Sequence, residues 1–344
     1  MELCRTGDYD AVLPTRRTSL EALLPYAEQL SAVSGILMPS VEQFAIGMDK
    51  MRTIAKCREL GIVHPESEFL SEQSCIEEIA ERLGYPIVVK HRRNFGASAG
   101  VRIAAERSML GQAVEELLRA GSIHDLIVQE FLPGTLFDAC LVARDGNLAG
   151  LVTQARTLMY PISGGVGCIL VTVDIPRLTE LVSGLVSALR WTGPAQIEFK
   201  WDPENDTFSL IEINPRFWGT IGAWLEAGVN FPAMTVDLAM GKTMKAAPMP
   251  PANLRFKYLV GRTPLALIQL WRAKGLSAIR NPSYYSRTWY DFDFSDPLPD
   301  LLRLTEEFIR VIRGQRSLND KCLPGRLVPS IGDPLIQATG RSRL

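Results

Sequence analysis

The sequence predicts an α+β protein, because paired strand patterns joined by short polar turns stand beside amphipathic helical patterns. Residues 196–214 read as one β-hairpin with its turn at 201–206, and residues 137–155 read as another. Between the two hairpins, residues 176–191 carry leucine and valine side chains at helical spacing, which suits a helix that packs on a sheet. Local antiparallel pairing combined with such helices is typical of the α+β class.

The first 45 residues predict a small α/β segment. Residues 10–14 and 35–39 read as short strands, and residues 19–30 between them read as a helix. Two strands and one helix bury little surface by themselves. We therefore expect the segment 1–45 to pack on the rest of the chain or on another subunit.

Two lysines follow at the ends of regular elements. Lys50 lies in the first turn of a helix predicted over residues 48–60, where a lysine is commonly no more than an exposed side chain. Lys90 ends the apolar strand pattern 85–90. An ammonium group at such a buried position calls for a compensating anion, such as a phosphate. Lys90 is therefore the more specific of the two signals.

A loop of small residues follows Lys90 and includes Gly96 and Ser98. Small side chains let backbone N–H groups approach an anion closely. Taken alone, a flexible hairpin turn is the commoner explanation of such a loop, and the loop matches neither the Walker A motif nor G-x-G-x-x-G. The strand-end lysine and the loop together make a phosphate site credible.

The hairpin at the end of this region carries the most informative polar pattern. Because side chains alternate along a strand, Glu212 and Asn214 share one face, and the simplest pairing adds Gln196 and Glu198 to that face. Oxygen ligands of this kind suit Mg²⁺, and Arg216 could hold an anion beside it. The opposite face is predicted to be a core of Ile197, Phe199, Ile211 and Ile213. A solvated hairpin face explains the two glutamates equally well, so the residues upstream must decide.

Composition narrows the class of protein. A chain of 344 residues suffices for about two domains, and a formal net charge of −1 gives no electrostatic reason to expect nucleic acid or a membrane surface as partner. The six cysteines include no C-x-x-C pair, which argues against a zinc site and for a reducing compartment. The N-terminus shows no signal-peptide core, and no apolar run has the length of a membrane span. We expect a cytoplasmic protein.

After about residue 250 the motif pattern ends. Residues 254–313 are rich in aromatic side chains and include a helix predicted over residues 298–312. We interpret residues 246–313 as a C-terminal cap. Residues 314–344 hold five Lys or Arg against two Asp, with scattered Gly and Pro, and are predicted to be a flexible tail.

Taken in order, these residues resemble the ATP-grasp superfamily, and more closely its carboxylate–amine ligases. The matching order is Lys50, Lys90, the loop Gly96–Gly100, the segment Gln129–Gly134, Glu198 and the segment Glu212–Arg216. The resemblance covers residues 46–245. It implies an ATP-grasp fold in which two α+β subdomains, at residues 46–132 and 133–245, enclose an ATP cleft behind a shortened N-terminal segment.

The resemblance also implies a role for each matched residue. The residues that it assigns to the nucleotide are Lys50, Lys90, Gly96, Ser98, Glu130, Phe131, Leu132 and Asp138. The first four would contact phosphates, the next three would border adenine as a hinge, and Asp138 is the acid placed nearest to the ribose hydroxyls. The residues that it assigns to Mg²⁺ are Glu198, Glu212 and Asn214. Arg216 and Lys90 would be catalytic, with Arg216 steadying an acyl phosphate, and Arg156 and the loop 164–167 lie where substrate contacts are expected.

The activity that the resemblance implies is that of an ATP- and Mg²⁺-dependent ligase. It would phosphorylate a small-molecule carboxylate, and an amine or a thiol would then displace phosphate from the acyl phosphate. Phosphoryl transfer needs positioning, a metal ion and positive charge, and no Ser/His/Asp or Cys/His nucleophile set is apparent in the sequence. The alternatives are an ATP-dependent carboxylase of the same superfamily and a non-catalytic ATP-binding regulatory protein. The sequence leaves room for a homo-oligomer.

Overall fold

A computed structural model describes residues 2–7, 9–93, 100–243, 247–260, 262–284, 289–292 and 295–314. The predicted phosphate-loop residues Gly96 and Ser98 lie outside the described residues, as does the predicted tail from residue 315 onward. Helices and strands are mixed throughout the rest, and the predicted α+β class is confirmed.

The chain order of the elements is as follows. The helices are α1 Glu2–Thr6, α2 Arg17–Leu23, α3 Ala27–Ser31, α4 Val41–Met48, α5 Lys50–Leu60, α6 Ile76–Leu83, α7 Arg107–Leu118, α8 Pro176–Ala188, α9 Ile221–Glu226, α10 Phe231–Ala239, α11 Thr263–Lys274, α12 Leu276–Ile279 and α13 Leu298–Ile312. The strands are β1 Ala11–Val12, β2 Gly35–Ile36, β3 Ser67–Phe69, β4 Ile87–His91, β5 Val101–Ala104, β6 Leu126–Glu130, β7 Thr135–Arg144, β8 Asn147–Tyr160, β9 Val166–Thr172, β10 Gly193–Asp202, β11 Thr207–Asn214, β12 Arg255–Lys257 and β13 Trp289–Tyr290.

The N-terminal segment forms the predicted strand–helix–strand unit, with β1 and β2 paired in parallel. The single helix predicted over residues 19–30 is instead divided into α2 and α3 by a 3₁₀ turn at Leu24–Tyr26. Pro25 explains the division, because its ring removes a backbone donor and disfavours a continuous helix. The small unit packs against α10, so it contributes to the main body of the protein.

The first of two larger sheets is antiparallel and has the strand order β3-β6-β4-β5. On one face, Ile87 and Val89 pack with the apolar stripes of α6 and α7 in a closed core. Since strand side chains alternate between faces, Val88 and Lys90 point the other way, toward the interior of the protein. The strand that ends in Lys90 therefore delivers this lysine to a cleft, while its neighbours hold the sheet on its helices.

The second sheet has seven strands in the order β11-β10-β7-β8-β9-β12-β13. One face packs on α8 and contains the largest core, with Phe137, Ile197 and Phe199 fully or almost fully buried. The other face is covered by α9 and α10 at one end and lines the cleft at the other. Because β12 and β13 belong to this sheet, it continues past the predicted boundary at residue 245, and residues 246–313 supply strands as well as a cover.

A β-bulge interrupts the hairpin of β10 and β11. Glu198 is paired with Glu212 and Phe199 with Leu210, so Ile211 is an extra residue on β11. Leu210 is buried in the core at the position predicted for Ile211, and Ile211 lines the cleft. The predicted core position of Ile211 is therefore wrong, because a bulge shifts the alternation by one residue. The predicted common face of Gln196, Glu198, Glu212 and Asn214 is as observed.

None of the helices in the described ranges combines the length and the apolar character that a transmembrane segment requires.

Candidate active site

A cleft of about 570 Å³ lies between the two larger sheets and gathers the predicted site residues. The predicted residues that line it are Lys50, Lys90, Glu130, Phe131, Leu132, Asp138, Glu198, Glu212, Asn214 and Arg216. Gly96 and Ser98 are the two predicted site residues that fall outside the described part of the chain. Arg156 and the loop 164–167 also line the cleft. The contribution of each residue to binding or catalysis stays a prediction.

Lys90 is a buried cation that faces this cleft. The residue is 4% exposed, and within the described residues its ammonium group has no hydrogen-bond or ion-pair partner. Burial lowers the pKa of Lys90 to about 7, with the positive charge of Lys50 acting in the same direction and Glu212 and Glu198 opposing it. An anion bound in the cleft would reverse this cost, because a nearby negative charge stabilises the ammonium form.

Lys50 lies at the start of α5 and pairs with Glu212 of the acidic hairpin. Asp49 caps the helix by accepting a hydrogen bond from the Met51 N–H. It also pairs with Arg92, just beyond β4, at 2.6 Å. These contacts hold Lys50 so that its Nζ lies 3.4 Å from a carboxylate oxygen of Glu212. The lysine at the predicted helix start thus forms an ion pair at the cleft.

Glu198, Glu212 and Asn214 converge, as expected for a shared site. The side-chain amide of Asn214 donates to Glu212 at 2.9 Å and to Glu198 at 3.3 Å. Burial raises the pKa of Glu198, and the charge of Glu212 adds to that effect. Burial also opposes ionisation of Glu212, but Lys50 and Lys90 outweigh it and hold the pKa of Glu212 well below its ordinary value. The pKa values of the adjacent Glu198 and Glu212 are therefore shifted in opposite directions.

This cluster fits a hard cation such as Mg²⁺. No group of three or more His, Cys, Asp or Glu side chains that could hold a metal exists among the described residues. Two carboxylates with an amide are nevertheless a suitable set for Mg²⁺, which is commonly held by one or two carboxylates and completes its shell with phosphate oxygens and water. Burial is the main cause of the raised pKa of Glu198, and the charge of Glu212 adds to it, so a bound cation would favour the ionised form of Glu198.

Arg156 is the centre of a second buried cluster. Its guanidinium donates to the two carboxylate oxygens of Asp138 at 2.9 and 2.5 Å and pairs with Glu198 at 2.7 Å. It also donates to the Gly165 carbonyl at 3.2 Å. Gly165 must be a glycine here, since an added Cβ would lie 2.0 Å from the Tyr160 carbonyl oxygen. Arg156 therefore ties together β7, β8, β10 and the loop before β9.

The position of Asp138 does not favour its predicted contact with ribose. Asp138 is fully buried, and both of its carboxylate oxygens are bound by Arg156. Gln154 on β8 donates a further hydrogen bond to it at 2.5 Å. Because these partners already occupy the carboxylate, Asp138 acts in this arrangement as an internal counterion for Arg156.

The predicted hinge lies where β6 leaves the first sheet. Glu130 ends the strand, and its backbone N–H and side chain both bond to Glu66 of the segment before β3. Phe131 packs against an apolar cluster that includes Ile103 of the first sheet and Leu158 of the second. The segment therefore connects the two sheets beside the cleft, and its contact with adenine stays a prediction.

Sequence reasoning missed Lys200 and Arg262. Lys200 lines the cleft and donates to the Gly134 carbonyl at 2.8 Å, and burial together with Arg156 lowers its pKa to about 8. Its position two residues after Glu198 on one strand was a usable signal, because residues i and i+2 share a face. Arg262 precedes α11 and reaches the cleft from the C-terminal part of the chain, where no motif marked it.

Part of the chain is similar in sequence to known proteins. Residues 122–261 match the family described as ATP-grasp in the biosynthetic pathway with Ter operon. The chain is 26% identical over 214 residues to the carbamoyl phosphate synthase large chain, C-terminal section, of Methanopyrus kandleri, a match that covers 60% of this chain. The chain spans only 39% of the length of that relative.

Solved structures with a similar fold include a carboxylase and a ligase. The biotin carboxylase domain of the 2-oxoglutarate carboxylase from Hydrogenobacter thermophilus, in complex with MgADP, ADP and bicarbonate, has a TM-score of 0.59 and 16% identity, covering 72% of this chain and 57% of that one. The L-amino acid ligase of Bacillus licheniformis has a TM-score of 0.53 and 20% identity, covering 70% and 60% respectively. The sequence over residues 122–261 and the order of the cleft residues are similar to those of ATP-grasp proteins.

Proposed function

We propose that the protein is an ATP- and Mg²⁺-dependent ligase that activates a small carboxylic acid as an acyl phosphate and couples it to an amine or a thiol, releasing ADP and phosphate. The observation that carries this proposal is the convergence of Lys90, Lys50, Glu198, Glu212 and Asn214 in one cleft. Lysines opposite a two-carboxylate cluster suit a nucleotide triphosphate with a bound metal ion.

Each side of the cleft would contribute one part of the phosphoryl transfer. Lys50 and Lys90 would neutralise phosphate oxygens, and the buried setting strengthens that interaction relative to water. Glu198, Glu212 and Asn214 would hold Mg²⁺, which neutralises charge on the transferred phosphoryl group. Arg216 lines the same cleft and would hold the acyl phosphate, since a guanidinium fork matches a phosphate group. The backbone at Glu130 and Leu132 would bind the nucleobase.

Acid activation explains why the site needs no protein nucleophile. A carboxylate is a poor electrophile, and transfer of the γ-phosphoryl group to its oxygen supplies a phosphate leaving group. The amine then attacks the carbonyl carbon, the C–O bond to phosphate breaks, and the amine loses a proton. The similarity to an L-amino acid ligase supports this direction of chemistry.

The test combines the protein with ATP, Mg²⁺, pooled carboxylic acids and pooled amines, with hydroxylamine as a trap for acyl phosphate. We expect acid-dependent ADP release and a hydroxamate product. The Glu212→Gln variant is the control, because it removes one charge from the metal cluster without removing a core side chain. The absence of both ADP release and a hydroxamate product over a broad panel of acids would contradict the proposal.

A carboxylase-type activity is the second candidate, favoured by the similarity to a biotin carboxylase domain in complex with bicarbonate. ADP release that depends on bicarbonate and not on an added organic acid would identify this activity. A third possibility, nucleotide binding without turnover, predicts ATP binding by calorimetry and no ADP release with any substrate. The cluster of Glu198, Glu212 and Asn214 argues against this third possibility, since nucleotide binding alone does not need two adjacent carboxylates.

A further inference from the structure

The cleft has more positive than negative side chains. Its described lining contains eight Lys or Arg residues and four Asp or Glu residues, an excess of four cations. The four carboxylates are already engaged: Arg156 binds Asp138 and Glu198, Lys50 binds Glu212, and Glu130 is bonded to the Glu66 N–H. Arg17 pairs with Glu21, which lies outside the lining, so a surplus of three cations is left for an occupant of the cleft to balance.

The nucleotide takes up only part of this excess. A metal ion held by Glu198, Glu212 and Asn214 would neutralise much of the charge of the phosphates, and Lys50 and Lys90 line the same cleft. A single carboxylate on the acid would be matched by one further cation, the role proposed for Arg216. These assignments use Lys50, Lys90 and Arg216 and leave the half-buried Arg262 of the cleft lining for a further group.

Arg262 is a half-buried cation of the cleft lining to which no role has been given so far. It lies at the start of α11. Within the described part of the chain its guanidinium makes no hydrogen bond and no ion pair. Its charge is close enough to Cys168, at the end of the cleft-lining loop, to act on the pKa of that thiol. Among the described residues, Arg262 therefore presents an unpaired guanidinium to the cleft that the loop 164–167 also lines.

The backbone that carries Arg262 is fixed. The hydroxyl of the next residue, Thr263, donates to the Tyr258 carbonyl at 2.7 Å and to the Cys168 carbonyl at 3.3 Å. These bonds join the first turn of α11 to β9, so the guanidinium is anchored to the sheet that forms the cleft. The guanidinium of Arg216, by comparison, donates to the carbonyl of the next residue, Phe217, at 2.8 Å, and this contact orients it.

We propose that the acid activated by this enzyme carries a second anionic group, a carboxylate or a phosphate, and that Arg262 binds that group. The inference rests on the proposed ligase function. It concerns the acid because activation precedes attack by the amine, so the acid must occupy the cleft beside the nucleotide. Arg262 is then a specificity-determining residue, and monoanionic acids of the same length are poor substrates.

The test compares matched acids that differ by one charge, with hydroxylamine in place of the amine. The pairs are glutarate with pentanoate, succinate with butyrate and glutamate with glutamine, and 3-phosphonopropionate represents a phosphate-type second group. We expect kcat/KM for the member with the second anionic group to exceed that of its partner by about tenfold or more, the factor typical of one charge-assisted hydrogen bond. The relative rates with glutarate and 3-phosphonopropionate show which anion is preferred.

Arg262→Met should remove this preference while leaving the KM for ATP unchanged, and Arg262→Lys should retain part of it. Arg280→Met is the matched control, because Arg280 is exposed and lies outside the cleft. Calorimetry of glutarate binding to the protein with MgADP gives a readout that is independent of turnover, and Arg262→Met should weaken this binding by a similar factor.

Equal rates for both members of each pair, or an equal loss for both members in Arg262→Met, would overturn the inference and leave the ligase proposal standing. A complete lack of ADP release and hydroxamate with every acid would overturn the ligase proposal and this inference with it.

Discussion

Replacing Arg156 by methionine should destabilise the protein far more than the loss of a surface arginine does. The guanidinium makes four polar contacts, two to Asp138 and one each to Glu198 and Gly165. The exposed fraction is 8% for the Arg156 side chain and 0% for that of Asp138. Removing one partner of a buried pair costs about 3–5 kcal/mol, because the other charge stays buried without compensation.

The expected loss is large enough for thermal and urea unfolding to resolve. For a chain of 344 residues the unfolding midpoint shifts by about 1.4 °C per kcal/mol, so it should fall by roughly 4–7 °C. Arg119→Met is the matched control: Arg119 pairs with Glu115 at 3.4 Å, but both side chains are more than 70% exposed. Loss of such a surface pair should change the free energy of unfolding by no more than about 0.5 kcal/mol.

A double variant tests the physical reason. Asp138→Asn in the Arg156→Met background removes the stranded charge, so the two changes together should cost about 1–3 kcal/mol less than the sum of the single changes. Equal unfolding midpoints for Arg156→Met and Arg119→Met would contradict a strong buried ion pair. Additive effects of the Asp138 and Arg156 substitutions on the free energy of unfolding would contradict it as well.

Three further predictions concern the cleft. Glu212→Gln should lower turnover by roughly 10²-fold or more, because it removes a negative charge from the proposed Mg²⁺ ligands, and it should also lower the unfolding midpoint, because Lys50 loses its carboxylate partner; wild-type ADP release would exclude Glu212 from the site. Metal-free ADP should bind more tightly at pH 6 than at pH 8.5, because Lys90, with a pKa lowered to about 7 by burial and Lys50, loses its charge as the pH rises. Calorimetry at both pH values should show a smaller difference in Lys90→Met, and an unchanged difference would contradict this role. Asp138→Asn should reduce stability without changing the ratio of KM values for ATP and 2′-deoxy-ATP, since Arg156 and Gln154 occupy its carboxylate; a changed ratio would restore the predicted ribose contact.

The common face of the acidic hairpin was predictable because it depends on local rules. Alternation along a strand and a short turn between two strands determine which side chains of β10 and β11 point together. The strand-end position of Lys90 was informative for the same reason, since a lysine that ends an apolar strand lies at the boundary of a core. These features need no knowledge of distant parts of the chain.

The Arg156 cluster depends on pairings that the sequence does not contain. Asp138, Arg156 and Glu198 meet because β7 lies between β8 and β10 in the sheet, and β10 is joined to β7 across a long stretch of chain that includes β9 and α8. The register of such a pairing is set by the assembled sheet. The strands β12 and β13 are only 3 and 2 residues long, too short for any alternation to reveal them.

The bulge in β11 has a consequence for how this hairpin can vary in length. Leu210 and Ile213 point to the core, whereas Glu212 and Asn214 point to the cleft, so the orientations on either side of Ile211 would follow regular alternation if that residue were absent. A chain shortened by this one residue would therefore keep both carboxylates and the carboxamide in place and lose only an apolar side chain from the cleft wall. Ile211 is thus a position where evolution or design could reshape the room available to a bound molecule by deleting one codon, without re-registering the strands.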